Sequence, residues 1–222
     1  MACNMRGVAC AAFFLSLTWT ASARVKATID HNTGESATPA FKFERVPSPV
    51  KNNAASGAKV KLIVGEASSD SGGTAALTDG KLPQEQDQPN ANFFFATDTD
   101  GGRFLVDLGR AMDIAQVNTY SWHTGSRAPQ VYNLFVSDGS ARNFNPEPDA
   151  NTDPANCGWT LMITVDSRSK YGNGGGQYGV SITDSSGSLG KVRYLLFDSI
   201  PTEDDDAWGN TFFSEVNVIA KK

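Results

Sequence analysis

The sequence predicts an all-β protein folded as an antiparallel sandwich or barrel. Three observations lead there. Nine short runs rich in β-branched and aromatic residues recur from residue 60 to the end of the chain. Clusters of Gly, Asp, Asn and Ser separate them, and such clusters are where a chain turns. No stretch longer than ten residues carries the 3.6-residue apolar period of an amphipathic helix.

The elements follow in order. Residues 60–64 (VKLIV) and 92–97 (NFFFAT) are nearly continuous apolar runs. Residues 103–109 (RFLVDLG) and 114–123 (IAQVNTYSWH) come next as two strands. Successive strand side chains point to opposite faces. Val117, Thr119, Ser121 and His123 therefore share one face, and Asn118, Tyr120 and Trp122 the other, where Trp122 is expected in the core. In residues 130–139 (QVYNLFVSDG), Val131, Asn133, Phe135 and Ser137 oppose Tyr132, Leu134 and Val136. Bulk on both faces marks these strands as central. Residues 159–167 (WTLMITVDS), 177–182 (QYGVSI), 192–200 (VRYLLFDSI) and 211–220 (TFFSEVNVIA) complete the set. The glycine stretch 172–179 (GNGGGQYG) has no Lys-Ser/Thr behind it and opens no helix, so it is read as a flexible hairpin connection and not a phosphate loop.

Ahead of these runs, residues 1–23 read as a secretory signal peptide. Arg6 supplies the positive charge, residues 8–19 the apolar stretch, and Ala21-Ser22-Ala23 the small-residue cleavage pattern. The stretch is too short to span a bilayer, and no other segment is long enough. The expected location is therefore secreted or extracellular, or periplasmic in a bacterium. Cleavage after Ala23 would leave Cys157 as the one thiol, expected buried just before a strand. Residues 24–58, interrupted by Pro47 and Pro49, read as a linker or an added edge segment, with a short strand at 41–43 (FKF). Residues 59–222 form the one folded domain.

Composition narrows the function. Apolar residues make up 40% of 222, enough for a packed core. A net charge of −5 argues against a nucleic-acid partner held through phosphates and against a polybasic membrane-surface role. Two His and three Cys cannot build a multi-His metal cage or a disulfide-stapled miniprotein. His123 is the one histidine of the 59–222 domain, no G-x-S-x-G elbow occurs, and no carboxylate pair stands out. The residues therefore point to a binding protein and not an enzyme.

The order of several segments resembles a known family. LTDG (77–80) is followed by an aromatic run, then 104–122 (FLVDLGRAMDIAQVNTYSW), 127–140 (RAPQVYNLFVSDGS), 192–198 (VRYLLFD) and 211–218 (TFFSEVNV). The set resembles the discoidin, or coagulation factor 5/8 type C, domain. That domain is one of the galactose-binding-like β-sandwiches, which include many bacterial carbohydrate-binding modules. The resemblance covers about residues 60–220. Residues 81–95 (KLPQEQDQPNANFFF) replace a usual Thr/Ser-x-Trp, the terminal Cys pair of animal members is missing, and 144–159 is an unusually long insertion.

The resemblance implies a jelly-roll sandwich with its ligand site on the loops at one end. Two loops then supply candidate contacts: His123 and Arg127 flank HTGSR (123–127), and Trp208 and Asn210 lie in DDDAWGN (204–210). Sugars are held by aromatic faces and by planar polar groups such as the Arg fork. Each residue also has a plainer role open to it: loop structuring for His123, a salt bridge to the acidic run for Arg127, a plug under the loop for Trp208. The run 203–206 reads as a solvated loop. The resemblance further implies a structural Ca²⁺ on Asp79 of the DG turn and Glu215 of the last strand, with turn carbonyls adding hard oxygens. The alternative is that Asp79 caps its turn and Glu215 is solvated. The expected function is a secreted, non-catalytic protein that binds a glycan or cell-surface polysaccharide. An adhesive domain binding an extracellular protein, or a small secreted hydrolase, are the alternatives.

Overall fold

Every strand pairing among the described residues is antiparallel, and one long strand belongs to two sheets. The computed structural model describes residues 25–97, 99–202 and 210–222. The expected leader and Trp208 lie outside these residues. Among them run β1 (Val25–Asn32), β2 (Lys59–Val64), β3 (Gly102–His123), β4 (Val131–Ser137), β5 (Thr160–Asp166), β6 (Gly176–Asp184), β7 (Lys191–Ser199) and β8 (Phe213–Ala220). The first sheet has the order β1-β6-β3-β8. The second has the order β2-β3-β7-β4-β5.

The two runs expected as separate strands are one bent strand, β3. Its first part pairs with β2 and β7, residues 114–121 pair with β8, and residues 116–123 pair with β6. Between them, residues 108–111 bulge out opposite Arg193, since Asp107 faces Tyr194 and Met112 faces Val192. Gly109 turns this corner at φ 79°, a conformation other residues reach only at a steric cost. Asp107 holds the corner by accepting from Gly109 N at 2.8 Å and from Arg193 at 2.9 and 3.0 Å. Because β3 runs out in one sheet and back in the other, Gly102 and His123 finish at the same end of the sandwich. The starts of β4, β6 and β8 and the ends of β1, β2, β5 and β7 lie there too.

Inward-facing apolar residues of both sheets form one core, including Phe104, Val117, Leu134, Ile182, Phe197, Phe213 and Val218. Removing each such side chain from water contributes about 1.5–3 kcal/mol. Phe104 stacks on Phe197 at 4.7 Å and meets Phe93 edge-on at 5.5 Å. Residues 92–97 are not a ladder strand. Phe93 bridges only Phe213, and Phe95 only Ala67. On the outer face of the second sheet, Leu105, Phe135 and Leu196 bury Trp159 of the long insertion.

Of the two readings of residues 24–58, the strand pairing matches the added edge segment and not the linker. Val25 through Asn32 pair with β6 over eight residues and make the edge of the first sheet. The chain then lies across that sheet's outer face, where Phe41 and Val46 bury Tyr120 and Trp122. Phe41 meets the Trp122 ring edge-on at 5.7 Å, and Trp122 is core as expected, 5% exposed. The expected strand at 41–43 does not form, since Phe41 turns at φ 45°. Asp30 fastens the layer by accepting from the backbone of Arg45 and Val46 and from the Arg45 guanidinium. Burial works to raise the Asp30 pKa, but these hydrogen bonds prevail and hold it below the usual carboxylate value.

Two further expectations need correction. The glycine stretch is not a hairpin connection: with the one-turn helix α1 (Arg168–Tyr171), it carries the chain from β5 in one sheet to β6 in the other. A Cβ at Gly175 would lie 2.0 Å from Thr124 O, and one at Gly176 2.2 Å from Asn32 O, so close backbone approach requires both glycines. Cys157 is only partly buried. Its thiol lies 3.4 Å from Pro154 O, and burial pushes its pKa up. No helix among the described residues is long and apolar enough to cross a membrane.

Candidate functional site

At the end where Gly102 and His123, the two termini of β3, lie, the β3–β4 and β7–β8 loops are tied together. Phe212 N donates to Arg127 O at 2.9 Å, Thr211 Oγ to Pro129 O at 2.5 Å, and Thr202 Oγ to Ser126 O at 2.5 Å. Phe94 and Phe212 stack face to face, with centroids 4.0 Å apart and planes at 13°. The Arg127 guanidinium carbon lies over this pair, 4.3 Å from the Phe212 centroid and 5.2 Å from Phe94. Such a contact stabilises the cation by about 0.5–1 kcal/mol at an exposed site.

His123 packs its ring against Phe212 at 4.4 Å and is 7% exposed. Its Nδ1 accepts from Gly125 N at 3.2 Å, which leaves the ring proton on Nε2, 3.7 Å from Asp87 Oδ1. Burial lowers its pKa to about 4. The Arg127 charge adds to that shift and Asp87 opposes it. The imidazole is therefore neutral at neutral pH. Asn210 is buried and donates to Ala96 O at 3.1 Å.

Three of the four expected contacts thus gather around one aromatic pair: His123, Arg127 and Asn210. Trp208 lies outside the described residues. The roles of the three differ. His123 Nδ1 and Asn210 Nδ2 are spent on loop backbone, and Arg127 is the partly exposed one. The sequence reading missed Phe94 and Phe212. Alternation gives the clue: where Phe93, Phe95 and Phe213 face the core, Phe94 and Phe212 between or beside them must face elsewhere.

The expected calcium pair is arranged unevenly. Glu215 is not solvated. It is 1% exposed, accepts from Gly80 N at 3.2 Å and from Asn217 Nδ2 at 3.1 Å, and adjoins a cavity of about 70 Å³ lined by Pro49, Val50, Lys51, Gly80 and Leu82. Burial raises its pKa to about 8; the Gly80 hydrogen bond opposes this and the Asp79 charge adds to it. Asp79 caps its own turn by accepting from Lys81 N at 2.8 Å, and its other oxygen lies 3.4 Å from Lys81 Nζ. Among the described residues no group of three His, Cys, Asp or Glu converges. A buried carboxyl beside a turn and a small cavity still fits one hard cation, whose remaining ligands would have to be carbonyls and water.

No family model matches the chain, and no curated protein sequence does. Several solved structures are similar to it. One is the lectin domain of lectinolysin complexed with Lewis B antigen, at 16% identity, covering 77% of this chain and 98% of that one, with a TM-score of 0.48. Another is chitosan-binding module 1 of a Paenibacillus sp. IK-5 chitosanase/glucanase, at 17% identity, 76% and 99% coverage, and a TM-score of 0.46. A third is a Streptococcus pneumoniae fucose-binding module, at 13% identity, 77% and 96% coverage, and a TM-score of 0.49. The chain is similar to these domains as a β-sandwich, the fold its own strand pairing gives it.

Proposed function

We propose that the protein is a secreted, non-catalytic glycan-binding protein whose contact surface is the loop rim around Arg127. The observation that carries this reading is the Arg127 guanidinium laid on the Phe94–Phe212 pair, with His123 and Asn210 bracing the loops beside it. A guanidinium placed against these rings presents a planar N–H fork, which suits adjacent sugar hydroxyls. The buried, neutral His123, with Nδ1 engaged by Gly125 N, supports a structural role over that of a catalytic base. Export rests on the signal-like residues 1–23. Calcium belongs to the same reading. Held by Glu215 and the Asp79-Gly80 turn, it would neutralise the buried carboxyl and clasp β8 to the turn.

A glycan array with Ca²⁺ present, followed by calorimetric titration, tests the reading. Arg127→Ala is expected to weaken binding about tenfold or more through loss of its hydrogen bonds. Its melting temperature should fall only a few degrees, because about 0.5–1 kcal/mol of ring contact is lost. Arg127→Lys keeps the charge but loses the fork and should bind as poorly as the alanine variant. Absence of any neutral glycan ligand, or full binding by Arg127→Lys, would overturn the proposal.

A further inference from the structure

A second cleft opens at the same end, on the other sheet. Val64 at the end of β2, residues 99–103 at the start of β3, residues 198–200 at the end of β7 and just past it, and Ala150 of the insertion enclose about 440 Å³. That volume falls within the range of roughly 300–1,000 Å³ common to small-molecule sites. The cleft shares no residue with the Arg127 rim.

Its lining is rich in acceptors and poor in donors. The Asp198 carboxylate accepts from Arg103 Nε at 3.0 Å and Nη2 at 3.4 Å. Arg103 Nη1 turns to Asp149 O at 2.6 Å and Thr152 O at 2.8 Å, so the guanidinium is used up in pinning the insertion. Asp100 is exposed and has no ion pair or hydrogen bond among the described residues. Ser199 is 6% exposed, and its hydroxyl, fully buried, has no partner among the described residues. Val64 and Ile200, the latter 46% exposed, provide an aliphatic wall. Such a lining favours a ligand that brings its own donors, a positive charge and an apolar face. A metal ion fits poorly, because among the described residues no third acidic or imidazole ligand joins Asp100 and Asp198. A lysine side chain would supply the ammonium but is too slender to fill the cleft.

We infer that this cleft binds a cationic amino sugar, with its ammonium toward Asp100 and Asp198 and a C–H face on Val64 and Ile200. The inference deepens the glycan reading by naming a charged sugar at a separate site. Proton–nitrogen NMR titration with D-glucosamine tests it, read at the amides of Gly65, Gly101 and Gly102. Saturable shifts are expected there. N-acetylglucosamine and the variant Asp100→Asn should each bind about tenfold more weakly, as expected for loss of a charge-assisted hydrogen bond. Ala150→Lys, which tethers an ammonium at the exposed cleft wall, should abolish the shifts. Both substitutions are at exposed positions, and unchanged spectra elsewhere would show that the fold is intact. Arg127→Ala should leave the glucosamine shifts in place, which separates failure of the rim reading from failure of this one. The inference is overturned if no saturable shifts occur, if the N-acetyl sugar responds equally, if Nα-acetyl-lysine methylamide binds as tightly, or if the shifts survive Ala150→Lys.

Discussion

Acidification should weaken the fold through His123. The folded protein holds this imidazole at a pKa of about 4 because it is buried against Phe212 and beside the Arg127 charge. In the unfolded chain it titrates near 6.5. The folded state therefore binds the proton more weakly than the unfolded state. The stability this provides is complete above about pH 6.5 and is lost as the pH falls toward 4. A gap of this size corresponds to about 3 kcal/mol, a large share of the roughly 5–15 kcal/mol that stabilises a typical domain. Asp30, Asp107 and Asp166 also have lowered pKa values and add their own losses at lower pH. His123→Gln separates the effects, since its side-chain oxygen can still accept from Gly125 N but does not titrate. Urea unfolding at pH steps from 8 to 4 should show the wild type losing about 3 kcal/mol more than the variant. NMR titration of the ring proton should give a midpoint near 4. A midpoint near 6.5, or parallel pH profiles for the two proteins, would refute the burial argument.

Two further predictions follow from the outer layer and from the last strand. Phe41→Ala removes a fully buried ring between Tyr120 and Trp122 and should cost about 3–5 kcal/mol in chemical unfolding; a loss below about 1 kcal/mol would mean that residues 33–50 are not an integral layer. With calcium chelated, Glu215 is protonated more readily in the folded state, so stability should fall as pH rises from about 4.5 through 8, and Glu215→Gln should flatten that profile. Added Ca²⁺ should raise the melting temperature of the wild type and not of Glu215→Gln; equal rises in both would place the ion elsewhere.

The strand runs were legible because alternation is a local property of the chain. Residues 130–139 contain β4 and 211–220 contain β8, and 192–200 cover all of β7 but its first residue, Lys191. β1 was not legible. Its sequence, VKATIDHN, mixes polar and apolar residues because an edge strand is covered on one side only. The union of two runs into β3 depended on Gly109 turning a corner within a strand, and the same local sequence is equally compatible with a loop.

The candidate site divides in the same way. His123, Arg127 and Asn210 could be named from loop position, but what each touches could not. The Phe94–Phe212 pair exists because Phe93 bridges Phe213 across more than a hundred residues, which sets the neighbouring rings face to face. Glu215 is buried beside a small cavity whose walls include Pro49, Val50 and Lys51, far away in the chain. Taken alone, the sequence determined the strand class, the loop chemistry and the charge. Tertiary structure decided which loops meet, which carboxyl is buried and which ring carries the arginine. Alternation and turn chemistry act between neighbours in the chain, whereas burial is a sum over contacts that only the folded chain brings together.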